Sequence, residues 1–145
     1  QMSCGKDAAK MWLNFLHPSE KTDIKDANDL SAVIRLEYRG YSVLFTGDLG
    51  EDGERELISE GDGLSADVLK VGHHGSRYST SEEFLRAVDP DLAIISAGKN
   101  NRYGHPHGET LDRLDACGAN VMSTIEHGAI CVGITDDGIS VTGYR

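Results

Sequence analysis

The sequence predicts an α/β protein, a single layered unit with a mixed β-sheet and flanking helices. Three observations predict it. Short apolar runs alternate with helix-like stretches through the middle of the chain, and hairpin-like pairs stand on either side of that alternation. In addition, three successive apolar runs each end in a polar, glycine-containing cluster.

The elements follow in order. Met11 to Leu16 (MWLNFL) is a short apolar strand that ends at His17-Pro18, and Ser19 to Leu30 is a polar loop. Ser31 to Tyr38 alternates Ala32, Ile34, Leu36 and Tyr38 against Arg35 and Glu37. Arg39-Gly40 turns the chain into a second strand, Tyr41 to Thr46, and the two form a hairpin. Glu51 to Glu60 reads as a helix opened by acidic residues, which complement its dipole, and stopped by Gly61. Asp67 to Val71 is a buried strand. Thr80 to Val88 is a helix, with Thr80-Ser81-Glu82-Glu83 as a capping box and Asp89-Pro90 as its stop. Leu92 to Ser96 is a third buried strand, and Gly98 to Gly108 is a polar loop. Glu109 to Cys117 is a helix with Leu111 and Leu114 inward, and Asn120 to Thr124 is a strand. Ala129 to Ile134 and Ile139 to Tyr144 close the chain as a hairpin around Asp136-Asp137-Gly138.

A length of 145 residues suits one domain, 1–145, and 39% hydrophobic with 26% charged residues places it among globular rather than disordered chains. The net charge of −10 speaks against a surface that grips duplex DNA by neutralising phosphates. Cys4, Cys117 and Cys131 are an odd number without C-x-x-C spacing, which speaks against a zinc finger or disulfide framework; Cys117 and Cys131, among apolar neighbours, read as buried packing residues. No stretch has the length of a membrane span, and residues 1–10 lack the apolar run of a signal peptide. Gln1 ahead of Met2 reads as an added residue, with the native chain expected to continue upstream.

The chemistry gathers at strand ends. Thr46-Gly47-Asp48 places a carboxylate directly after a buried strand, where one carboxylate can bridge two divalent ions; the plain alternative is a turn aspartate or helix cap ahead of Glu51. Gly72-His73-His74-Gly75-Ser76 follows the next buried strand. Neutral imidazole suits zinc or manganese, and histidines set among loop glycines are seldom needed for packing. Asn100 to His107, with Asn101, Tyr103, His105 and His107, follows the third. Ligand sites of open α/β sheets lie at that carboxyl edge. His17, at the end of the first strand, reads on its own as a surface or packing histidine. His105-x-His107-x-Glu109 superficially resembles the H-x-H-x-D-H ligand run of dinuclear metal hydrolases, but it lacks the last histidine and comes after the Asp48 motif rather than before it.

Taken together, Asn28-x-x-Ser31, Leu44-Phe45-Thr46-Gly47-Asp48, Lys70-Val71-Gly72-His73-His74-Gly75-Ser76, and Ile95-Ser96-x-Gly98 followed by Asn101-x-Tyr103-Gly104-His105-Pro106 resemble the ComEC-type branch of the metallo-β-lactamase superfamily, over about Leu13 to Val132. The resemblance implies an αββα sandwich of two similar halves, of which this chain is similar to the C-terminal half only. It implies a dinuclear zinc or manganese site between the halves, with Asp48 bridging the ions, His74 (or His73) ligating one and His17 the other. Tyr103 and His105 would be polar groups near the substrate, His107 and Asn101 substrate contacts, and Ser76 either a holder of the histidine loop or a phosphate contact. The H-x-H-x-D-H run is absent, so this chain alone would hold metal weakly and lack activity.

The activity implied for the complete protein is phosphodiester hydrolysis, as a phosphodiesterase or nuclease linked to DNA uptake in competence. It would act at the extracellular face of a membrane reached through other parts of the parent protein. The expected partners are the missing N-terminal half of the domain and a DNA or other phosphoester substrate. Competing readings are a secreted soluble phosphoesterase acting on phosphocholine esters, a non-catalytic partner-binding module, and a β-lactam or thioester hydrolase, whose loop motifs fit less well.

Overall fold

The structure, a computed structural model, describes residues 10–20, 22–61 and 63–145; Cys4 and the Gln1-Met2 start lie outside them. Eight strands and four α-helices follow one another as β1 (Met11–His17), β2 (Val33–Tyr38), β3 (Tyr41–Phe45), α1 (Glu51–Glu60), β4 (Val68–Lys70), α2 (Glu82–Val88), β5 (Leu92–Ile95), α3 (Gly108–Ala116), β6 (Asn120–Ser123), α4 (Thr124–His127), β7 (Ala129–Thr135) and β8 (Gly138–Tyr144). A single 3-10 turn, Gly72–Gly75, follows β4.

The first six strands form one sheet in the order β1-β2-β3-β4-β5-β6, and β7 and β8 pair separately as an antiparallel hairpin. β1, β2 and β3 run antiparallel, whereas β3 to β6 run parallel, so the sheet is mixed as expected. The strand order repeats the chain order. Parallel crossovers are right-handed almost without exception, so a monotonic march from β3 to β6 carries α1, α2 and α3 to one face. The core lies on that face: Leu44, Leu69, Ala93 and Ile95 of the sheet pack with Leu57, Phe84, Leu85, Val88 and Leu114 of the helices.

The opposite face carries the cross-strand rows Leu13-Leu36-Val43 and Phe15-Ile34-Phe45. Phe15 is 73% exposed and Phe45 42%, leaving an apolar surface open at the β1 side. The hairpin reaches the main sheet partly through an ion pair between Arg39 and Asp136.

Local details differ from the sequence reading. The N-cap of α2 is Ser81, whose hydroxyl accepts from the Phe84 amide at 3.2 Å. Thr80 cannot take that place because its backbone is left-handed (φ 58°), whereas an N-cap needs extended backbone. Asp48 does not cap α1 either. Gly50 occupies the cap position, and Asp29 Oδ1, from the preceding loop, accepts from the amides of Gly50 (2.7 Å) and Gly53 (3.3 Å). Cys117 and Cys131 are exposed rather than buried. Cys117 is the C-cap of α3, and Cys131 lies in the hairpin, away from the core cluster. Leu111 is also exposed, and Thr110 takes the inward position beside Leu114.

Candidate metal centre

β3, β4 and β5 are parallel neighbours, so the loops that follow them emerge side by side at one carboxyl edge. Backbone hydrogen bonds stitch these loops together. The His73 amide donates to the Gly47 carbonyl at 3.1 Å, and the His107 amide to the Gly75 carbonyl at 2.9 Å. Gly75 has φ +83°, and a Cβ there would stand 2.7 Å from Pro106 Cβ, so the second and third loops meet at a contact only glycine allows.

Asp48 is delivered by a tight turn. Thr46 Oγ1 donates to the Lys70 carbonyl at 2.9 Å, Gly47 takes φ +56° against Ser31, and the Asp48 amide donates to Ser31 Oγ at 3.0 Å. With its amide held there, its half-exposed carboxylate faces His74 Nε2 at 3.5 Å.

The two histidines are not in an extended stretch. His73 (φ 46°, ψ 42°) and His74 (φ 58°, ψ 19°) are both left-handed, which costs on the order of 1–3 kcal/mol for each non-glycine residue. The strain has a geometric result. His74 Nδ1 donates to the Ser96 carbonyl at 2.6 Å, so in the neutral ring the proton sits on Nδ1 and the lone pair is on Nε2, which faces Asp48. A ring nitrogen tied to a backbone carbonyl is the usual support of a metal-ligating histidine.

His105 completes an imidazole cluster. Its ring centroid lies 5.6 Å from His73, 6.4 Å from His74, 4.8 Å from His107 and 5.7 Å from Tyr103. Desolvation, and then the neighbouring His107, His73 and His74, lower its proton affinity, against a smaller opposite pull from Asp48. His107 Nδ1 accepts from the Arg77 amide at 3.1 Å, so the proton of the neutral ring is on Nε2. Tyr103 is 61% exposed, and the Arg102 guanidinium lies 4.8 Å over its ring. Lys70, whose ammonium donates to the Val71 carbonyl at 2.7 Å, has its pKa lowered by burial and is pulled the other way by Asp48.

Asp48, His73, His74, His105, His107 and Tyr103 therefore share one edge. Three residues expected at the site have other engagements. His17 is buried at the end of β1: its Nε2 donates to the Asp29 carbonyl at 2.7 Å, and its Nδ1 lies 3.7 Å from Glu56 Oε1. Among the described residues, no hydrogen bond, ion pair or ring contact joins it to Asp48 or His74. Ser76 is 3% exposed, its hydroxyl accepting from the Tyr78 amide and its carbonyl from Thr110 Oγ1, so of its two expected roles the structure favours holding the histidine loop over contacting a phosphate. Asn101 uses its amide group within its own loop, donating to the Gly98 and His105 carbonyls and accepting from the His105 amide. Asp29 escaped the sequence reading altogether; its only signal was an aspartate in the Asn28-x-x-Ser31 segment.

Among the described residues, no three His, Cys, Asp or Glu side chains converge as a metal-holding group. The donors that do converge fit one corner of such a site. A carboxylate oxygen and an imidazole nitrogen with its lone pair free, 3.5 Å apart, are spaced as neighbouring ligands of one divalent ion.

Comparison with known families gives the class of the domain. Residues 23–99, more than half of the chain, match the family model described as "Metallo-beta-lactamase superfamily", and the chain belongs to that superfamily. Within it, the chain is related to competence proteins. It is 47% identical over 77% of its length to ComE operon protein 3 of Bacillus subtilis, of which it covers 14%. It is 39% identical over 90% of its length to competence protein ComA of Neisseria gonorrhoeae, covering 19% of that protein. Recombination protein 2 of Haemophilus influenzae is 39% identical over 81% of the chain, which covers 15% of it. The chain thus spans less than a fifth of the length of each of these relatives. No described helix is long and apolar enough to cross a membrane.

Proposed function

We propose that this domain is part of a metal-dependent phosphodiesterase acting on nucleic acid during DNA uptake, at the extracellular face of a membrane. The observation that carries the reading is His74, its ring locked by the Ser96 carbonyl and its free nitrogen turned to the Asp48 carboxylate. The names of the relatives, with competence and recombination in them, support the nucleic-acid substrate.

In this reading Asp48 and His74 hold zinc or manganese. A bound divalent ion lowers the pKa of water and offsets charge developing on phosphorus. His105 and Tyr103, at the same edge, contact the phosphoryl or leaving oxygen. The remaining ligands come from a companion half of the domain, which covers the apolar row of Phe15, Ile34 and Phe45 and completes an αββα sandwich. This chain by itself then binds metal weakly and turns over little substrate.

The test is hydrolysis of single-stranded DNA and of bis-p-nitrophenyl phosphate, with manganese or zinc added, by a polypeptide that carries both halves. Asp48→Ala is expected to abolish turnover in that polypeptide; unchanged turnover would overturn the assignment. A second reading, a partner-binding module without chemistry, is favoured by the open apolar face. It requires that wild type and Asp48→Ala bind the partner equally and that neither hydrolyses phosphoesters.

A further inference from the structure

The segment that follows the two histidines is held from both sides by buried or half-buried charged groups. From α1, the Glu54 carboxylate, in a residue 1% exposed, accepts from the amides of Thr80 and of Ser81 (2.9 Å for the latter). From α3, Arg113 donates Nε to the Thr80 carbonyl at 2.9 Å, and Nη2 to the carbonyls of Ser79 at 2.9 Å and Arg77 at 3.1 Å. One acidic side chain takes amides and one basic side chain takes carbonyls of the same short stretch. Among the described residues, the two charges form no ion pair with each other.

Thr80 sits where the two grips overlap. It is β-branched, left-handed (φ 58°) and buried, and its hydroxyl has no hydrogen-bond partner. A residue of this type keeps such a conformation only when its surroundings over-determine it. The grip extends towards the histidines: Thr110 Oγ1, which itself accepts from Arg113, donates to the Ser76 carbonyl, and the Ser76 amide donates to the His73 carbonyl.

We propose that Glu54 and Arg113 are positioning residues: gripping Thr80 from opposite sides, they hold residues 76–81 so that His73 and His74 stay left-handed and His74 Nε2 stays aimed at Asp48. The consequence for metal binding rests on the reading above, but the effect on loop geometry does not.

Amide hydrogen exchange in the metal-free chain, together with calorimetric titration of manganese alone into a polypeptide that carries both halves, tests this. The amides to read are His73, bonded to the Gly47 carbonyl, and Ser76, bonded to the His73 carbonyl, because neither touches Glu54 or Arg113. Glu54→Ala and Arg113→Ala are each expected to speed exchange at both amides at least tenfold and to weaken manganese by a similar factor. Glu54→Gln, which keeps one acceptor oxygen, is expected to lie between. Should Glu54→Ala not fold, Arg113→Ala and Glu54→Gln read the same amides. Thr80→Gly, for which φ 58° carries no strain, is expected to restore His73 protection in the Glu54→Gln background. Faster exchange confined to Thr80 and Ser81, with His73, Ser76 and manganese affinity as in wild type, would overturn the proposal. If clamp variants loosen His73 while Asp48→Ala leaves manganese affinity unchanged, the clamp stands and the metal reading falls.

Discussion

His74 presents Nε2 to Asp48 Oδ1 at 3.5 Å while its Nδ1 is spent on the Ser96 carbonyl. A divalent ion placed between the two would answer to both. Asp48→Asn and His74→Ala are therefore each expected to weaken manganese or zinc binding by roughly 10–100-fold. The double variant should be little worse than the weaker single one, since both donors serve one ion. Isothermal titration of the four proteins checks this; fully additive losses would mean that the two side chains hold separate ions.

Glu54 gives stability a pH dependence of unusual sign. Burial pushes its carboxyl up to about 7, against the pull of the Ser81 and Thr80 hydrogen bonds and with a small push from Glu51. A folded pKa above the unfolded one favours the folded state at low pH. That contribution is whole below the unfolded value and is lost as pH rises through about 7. From its ordinary value of 4.5 the shift corresponds to roughly 3 kcal/mol. Urea unfolding from pH 4.5 to 8.5 should show this loss in the wild type beneath the gains from other carboxylates; Glu54→Gln should lack it, so that the difference between the two curves isolates it.

Gly75→Ala should damage both stability and the site. Its φ of +83° strains any side chain, and the new Cβ would meet the Pro106 ring at 2.7 Å. A loss of about 2 kcal/mol in unfolding free energy is expected. Metal affinity should fall as well, because the His107 amide bond to the Gly75 carbonyl joins the second and third loops. Thermal melts and the same titrations read the two effects separately.

Asp29→Ala should lower stability by about 1–2 kcal/mol, since its carboxylate caps α1 through two amides. Asp29→Asn keeps an acceptor oxygen and should recover most of that. Chemical denaturation distinguishes the pair; equal losses would move the effect to the charge rather than the cap.

Phe15 and Phe45 flank Ile34 on the open face. Replacing both with lysine should suppress self-association and binding of an apolar dye while leaving the melting temperature within a few degrees, as exposed apolar patches rather than the core are removed. Sedimentation and dye fluorescence provide the readout.

Much of the fold was legible because it follows local patterns. α1 spans Glu51–Glu60 as read, since acidic residues open it and Gly61 stops it, and the parallel strands were marked by apolar runs. Features set by the approach of distant segments were not. Thr80 looked like a cap until the Glu54 and Arg113 hydrogen bonds held it left-handed. The four-residue α4 starts at Thr124, which read as the last residue of a strand, and the rest of it lay in a stretch to which the pattern assigned no element. The co-location of Asp48, His74 and His105 could be read because one sheet edge gathers the loops. The internal bonds of Asn101 and the turning of His17 towards Asp29 could not, because they depend on which loop meets which.

A sheet whose strands lie in space in the order in which they occur along the chain can be assembled in the order of synthesis. Each new strand docks on the one just made, so nothing already placed has to open to admit it. For this domain the parts of the candidate site then arrive one strand at a time. Asp48 emerges with β3, the histidine turn with β4, and the Ser96 carbonyl that orients His74 only after β5 has joined. Until then the nascent chain carries an aspartate and two histidines that have not yet been turned towards each other, and under the proposed metal reading any ion capture would wait on the docking of β5.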